Sequence, residues 1–83
     1  MSTLITTRTL DVLGFHCPVP VHESKRCLLE MKPGESLLVM ADDPETQEDI
    51  PMMCDRYGWD LISTNEEAGE YHYLIHLPLE VSQ

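Results

Sequence analysis

Residues 17–41, CPVPVHESKRCLLEMKPGESLLVMA, decide the fold. Between Pro18 and Met31 the apolar or small positions Pro20, Ser24, Cys27, Leu28 and Met31 fall on one stripe at helical spacing, with Arg26 and Glu30 off it. That spacing predicts an amphipathic helix with one buried face. Lys32, Pro33 and Gly34 stop it, because proline and glycine are poor continuations of a helix. Ser36–Ala41 follows as a short, nearly continuous apolar run, the pattern of a strand covered on at least one face and set well inside a sheet.

Outward from this unit, residues 4–12 (LITTRTLDV) are rich in threonine and β-branched side chains and predict a first strand, with a turn at Gly14. On the other side, Asp43 and Pro44 are suited to opening a helical turn, and Pro51 is expected to bend or restart the helix. Ile50, Met53, Cys54 and Tyr57 then make an i, i+3, i+4, i+7 face that Gly58 closes. Residues 59–65 (WDLISTN) and 71–77 (YHYLIHL) predict two strands around the polar connection EEAGE. The order βαβαββ predicts an α+β, two-layer sandwich: a mixed four-stranded sheet with two helices packed on one face and a right-handed first crossover.

The 83 residues are expected to form a single domain over 1–83, with a small core and no room for a large substrate cavity. No basic segment leads into an apolar run at the N-terminus, and no stretch of about 18 apolar residues occurs, so the expected location is cytoplasmic, without a membrane partner. Fifteen acidic against five basic side chains give a formal charge of −10, which repels phosphate backbones and argues against direct nucleic-acid binding. The charge is unevenly spread. Residues 1–34 carry three acids against four bases, whereas residues 35–83 carry twelve acids against Arg56 alone. The acidic half is either a solvated face, or one pole of a bipolar surface that orients a partner toward the basic, Cys17-bearing segment.

Three cysteines without a C-x-x-C pair argue against a disulfide framework and a thiolate zinc site. Cys17 and Cys27, on one helix, stand about 15 Å apart along its axis, beyond the roughly 7 Å a disulfide spans. His72 and His76 lie roughly 13 Å apart along one face of a strand, too far to chelate one ion, so no metal is expected.

Cys17 is the position to explain. Placed between Gly14 and a helix beginning at Pro18, it is expected to occupy the N-cap, where orphan N–H groups and the helix dipole favour an anion. The dipole, typically 0.3–1 kcal/mol and up to about 2, would bring a thiol from about 8.5 to about 7–8. The negative net charge opposes this. So do the prolines, which leave Val19 as the remaining cap donor, although Pro18 and Pro20 stiffen the segment and aim the sulfur. A thiol attacks best when its pKa is near ambient pH, so such a sulfur suits exchange with another protein; the alternative is a buried structural cysteine. Cys27 and Cys54 lie on apolar stripes and are expected in the core. His16 is a candidate donor or base toward Cys17.

The segments LDVLGFHCPVP, MKPGESLLVMADDP, EDIPMMC and YHYLIH, in this order from Leu10 to Leu77, resemble the TusA (SirA-like) sulfur-carrier family. The cysteine-proline-x-proline motif is moderately specific alone and strong in combination with the others. The resemblance implies the βαβαββ sandwich, a fold similar to the C-terminal domain of bacterial translation initiation factor three. It further implies that Cys17 takes a sulfane sulfur, as a persulfide, from a cysteine desulfurase or rhodanese-like donor and passes it to an acceptor protein. No cofactor is then needed, and the chain would act as a monomeric carrier rather than a stand-alone enzyme. Pro18, Pro20, Val19 and His16 would support the sulfur, with Lys25 and Arg26 as docking charges. His16 and Val19 stand where the best-known members carry arginine and glutamate, so the rim that a partner reads differs here. Family members serve transfer-RNA thiolation, molybdenum-cofactor assembly or sulfur oxidation. A reading of another class is a regulatory or adaptor module that binds its partner through the acidic half, with Cys17 structural; a redox sensor would need a resolving cysteine nearby.

Overall fold

Six elements follow one another in the computed structural model, which describes residues 7–79. They are β1 (Thr7–Asp11), α1 (Val19–Glu30), β2 (Ser36–Ala41), α2 (Thr46–Tyr57), β3 (Asp60–Glu67) and β4 (Glu70–His76). The first strand was expected over 4–12; positions 4–6 lie outside the described residues. The sheet order is β1-β2-β4-β3, with β1 and β2 parallel and the other pairs antiparallel. The expected mixed sheet is therefore present, with β2 paired on both edges as its apolar run predicts.

Strand periodicity divides the sheet into two faces. Leu37, Val39 and Ala41 of β2 are fully buried beside Tyr73 and Ile75 of β4, whereas the alternate residues Leu38, Met40 and Leu74 are only half-buried. The helices cover the first set, with Leu28 and Met31 from α1 and Ile50, Met53 and Cys54 from α2 closing one core. Full burial of such an aliphatic side chain stabilises by about 1.5–3 kcal/mol, so this one layer holds most of the fold's driving force. Inside it, Thr46 Oγ1 donates to the Asp43 carbonyl at 2.7 Å and receives the Tyr73 hydroxyl at 2.8 Å. A buried polar network of this kind is tolerated because each group has a partner, and it ties the start of α2 to β4.

Three local expectations need correction. Pro51 does not restart α2, which runs through it as one helix. The proline has no N–H to give the Gln47 carbonyl, so the helix gives up a single bond there. Tyr57 completes the helical spacing but is not core; it is 41% exposed and stacks on Trp59 with ring centroids 4.7 Å apart. Finally, EEAGE is mostly strand. Only Ala68 (φ 50°) and Gly69 (φ 84°) turn, both left-handed, as a tight two-residue hairpin requires. A register shift between Leu61 and Ser63 leaves Ile62 exposed. Gly58 (φ 77°) closes α2 as expected, and the Trp59 N–H donates to the Cys54 carbonyl at 2.9 Å.

Candidate functional site

The parallel β1–β2 pairing brings the loop after β1 beside the loop after β2, at the end of the sheet where both helices begin. Two aspartates of the second loop bind the first. Asp42 accepts the Gly14 N–H at 3.0 and 3.1 Å through its two carboxylate oxygens, and Asp43 Oδ2 accepts the Cys17 N–H at 2.6 Å. Asp43 Oδ1 meanwhile accepts the Glu45 N–H at 3.0 Å, and its carbonyl accepts the Thr46 N–H at 3.0 Å. One side chain therefore both starts α2 and fixes the backbone of Cys17. These backbone donors, that of Cys17 first, hold the Asp43 carboxyl below its usual range.

Cys17 is half-buried and precedes the helix by more than expected. The N-cap is Pro18, α1 begins at Val19, and the Cys17–Pro18 peptide is cis. The Val19 N–H, the remaining cap donor, bonds to the His16 carbonyl at 2.9 Å, so it does not serve the sulfur. The sulfur instead donates to Asp49 Oδ2 of α2 at 3.0 Å. The expected shift is accordingly reversed: the Asp49 hydrogen bond, then withdrawal from water, then the Glu45 carboxylate push the Cys17 thiol up to about 12. Negative neighbours penalise a thiolate.

Other expected partners also need correction. His16 is exposed and, among the described residues, makes no hydrogen bond to Cys17; the group facing the sulfur is Asp49, 32 residues away. The thiol is not set in a basic pole: Glu45 and Asp49 of the acidic half bring carboxylate oxygens within 4.8 Å of the sulfur, and Asp43 binds the Cys17 N–H. Cys54 is buried as expected, but Cys27 is only half-buried, with Arg8 Nη1 3.6 Å from its sulfur.

Cys17 opens into a groove of ≈ 340 Å³ between the helices. Its α1 wall is Pro18, Val21, His22 and Lys25; its α2 wall is Asp49, Met52, Met53 and Arg56. Each wall is an i, i+3, i+4, i+7 stripe, so each lies on one helix face. Lys25 Nζ stands 5.6 Å from the centroid of the Tyr57 ring, a cation–π distance. Arg26 lies outside the groove in a 2.7 Å ion pair with Glu23, while Arg56, the one base of the acidic half and not among the expected docking charges, lines it. Val19 is 38% exposed and Pro20 is buried in the core side of α1. The groove's α2 stripe was available from residues 49, 52, 53 and 56; what no local pattern signals is that it faces Cys17.

A larger groove of ≈ 400 Å³ lies elsewhere, between Leu28, Leu29, Pro33, Trp59, Leu77 and Leu79. Its lining holds no thiol, carboxylate or imidazole, whereas the Cys17 groove holds a thiol, a carboxylate and an imidazole together. Cys17, Glu45 and Asp49 bring three potential ligand atoms within 4.8 Å of one another and are the described residues best placed to hold a metal ion. The thiol–carboxylate hydrogen bond already accounts for their approach. His72 is taken up by Glu70 at 3.1 Å and His76 by Ser36 at 3.1 Å. Among the described residues no helix is long and apolar enough to cross a membrane.

A family model described as sulfurtransferase TusA matches residues 8–76. Among solved structures, the chain is similar to the SirA-like protein from Desulfitobacterium hafniense, with 25% identity and a TM-score of 0.76 over 84% of this chain and 96% of that one.

Proposed function

The chain belongs to the sulfurtransferase TusA family, which makes it a sulfur carrier in the general sense, and from that premise we propose that it carries sulfur as a persulfide on Cys17. The supporting observation is the position of this thiol: half-buried, tied at its backbone to Asp43, and the one cysteine lining the groove between α1 and α2. Cys54 is sealed in the core and Cys27 lies outside that groove.

In the proposed cycle a cysteine desulfurase or rhodanese-like donor presents its persulfide. Cys17 attacks the outer sulfur, a new S–S bond forms as the donor's breaks, and the donor leaves as a thiol. A nucleophile on an acceptor protein, or one it presents, then attacks the outer sulfur of the loaded carrier and frees Cys17. The sulfur stays covalently bound throughout, so the cycle calls for no cofactor. Lys25 and Arg56, on the groove walls, are the docking charges nearest the thiol; Arg26 adds a more distant one. Transfer-RNA thiolation, molybdenum-cofactor assembly and sulfur oxidation are all compatible destinations, within a cytoplasmic single-domain protein.

Incubation with a cysteine desulfurase and cysteine tests the proposal by peptide mass spectrometry. The expected result is a gain of about 32 Da, one sulfur, on the Cys17 peptide. Equal loading of Cys17→Ser would overturn it.

A further inference from the structure

The carboxylates around Cys17 make it a poor resting nucleophile, which a sulfur acceptor has no obvious use for. We propose that Asp49, seconded by Glu45, is a working residue of the transfer step: an electrostatic gate through which Cys17 takes sulfur only from a donor that brings a cationic side chain to the groove mouth. This rests on the reading of Cys17 as the persulfide-forming residue.

The geometry carries the argument. Asp49 Oδ2 touches the reacting atom itself, at 3.0 Å, and a Glu45 oxygen lies within 4.8 Å of both. Removing the thiol proton would set three negative charges in that span. Among the described residues neither Glu45 nor Asp49 is in an ion pair. The other charged or titratable groups nearby do not compensate. From the β2–α2 loop, Asp43 is committed to the Cys17 and Glu45 N–H groups and Asp42 to Gly14. On α1, His22 and Lys25 line the groove, with Lys25 held over Tyr57; Arg56 is nearly two turns of α2 from Asp49, and His16 is exposed on the approach to Cys17. The position opposite the two carboxylates therefore suits a guanidinium or ammonium supplied from outside, and its arrival would relieve the penalty on the thiolate.

The chemistry balances without an added oxidant. The thiol of Cys17 and a donor persulfide, R–S–SH, give Cys17–S–SH and R–SH; the proton released by Cys17 passes by way of Asp49 to the departing donor sulfur. Once loaded, the same carboxylates favour the protonated outer sulfur, the electrophilic form that an acceptor thiolate attacks. One acidic pair thus suppresses stray reaction of the empty carrier and favours donation by the loaded one.

Two disulfide probes of opposite charge test the gate: cystamine, a dication, and 3,3′-dithiodipropionate, a dianion, with the adduct on Cys17 read by peptide mass spectrometry. The ratio of their rates should fall about tenfold from the wild type to Asp49→Asn/Glu45→Gln, the change expected for one pKa unit of electrostatic bias. Asp49→Glu, which keeps the charge, should retain the wild-type ratio. The unmutated protein provides an independent arm, since at 1 M salt the screening length is about 3 Å and the ratio should shrink toward that of the double variant. A ratio unmoved by both the substitutions and salt would overturn the gate. Desulfurase loading separates the two readings: a failed gate with sulfur still on Cys17 leaves the carrier standing, and an intact gate without loading overturns the carrier.

Discussion

Cys17 and Cys54 are both thiols pushed upward, to about 12 and about 11, yet by opposite means. At Cys54, on the inner face of α2, burial is the first cause: the residue is 2% exposed among Ile50, Met53 and the sheet. At Cys17, at the mouth of the groove, the first cause is the hydrogen bond to Asp49. Burial can be undone only by unfolding, whereas a neighbouring charge can be cancelled by whatever docks beside it. A protonated thiol in the core is inert; a protonated thiol among carboxylates is one kept in reserve.

The largest effect that would break this comparison is on stability. Cys54→Ser buries a hydroxyl in an apolar site and is expected to cost about 1–3 kcal/mol, lowering the melting temperature by about 4–8 °C per kcal/mol for a domain of this size. Cys17→Ser, half-buried at the groove mouth and with a hydroxyl that can still donate to Asp49, should stay within about 0.5 kcal/mol. Thermal unfolding of the two variants side by side checks this, and equal losses would mean that Cys17 is structural after all.

A smaller effect concerns Asp43, which fixes Cys17 without touching its sulfur. Its carboxyl titrates lower in the folded than in the unfolded chain, so its contribution is fully present above the unfolded value of about 3.9. It is lost as the pH falls through the depressed folded value. Asp43→Asn should therefore be less stable than the wild type at pH 7, with the gap closing below about pH 4. Denaturant titrations at pH 7, 4 and 3 measure it; a gap independent of pH would remove the carboxylate from the account.

The architecture was largely legible in sequence because its signals are local. Ser36–Ala41 reads as an interior strand since both its edges are paired, and the stripe through Pro20, Ser24 and Leu28 is buried because helix periodicity and burial coincide. Where a local rule failed, a tertiary or solvent term replaced it. Pro51 is carried by a helix already begun at Thr46, and Tyr57 finds Trp59 rather than the core. The site was half legible. Cys17 stands out through its prolines, but the direction of its perturbation depends on Asp49 and Asp43, 32 and 26 residues away. The packing of one helix start against the other sets those distances, and neither periodicity nor composition encodes it. Net charge hinted at the answer, since an acidic chain leaves few places for a thiolate.

The most direct test of the central claim, an accessible sulfur held protonated by its neighbours, is the alkylation rate of each cysteine in the folded protein as a function of pH, resolved by peptide mass spectrometry. The account predicts that Cys17 reacts faster than Cys54 at every pH and that its rate keeps rising through pH 9 without a plateau. A plateau for Cys17 near pH 7–8, or protection as complete as that of Cys54, would contradict it.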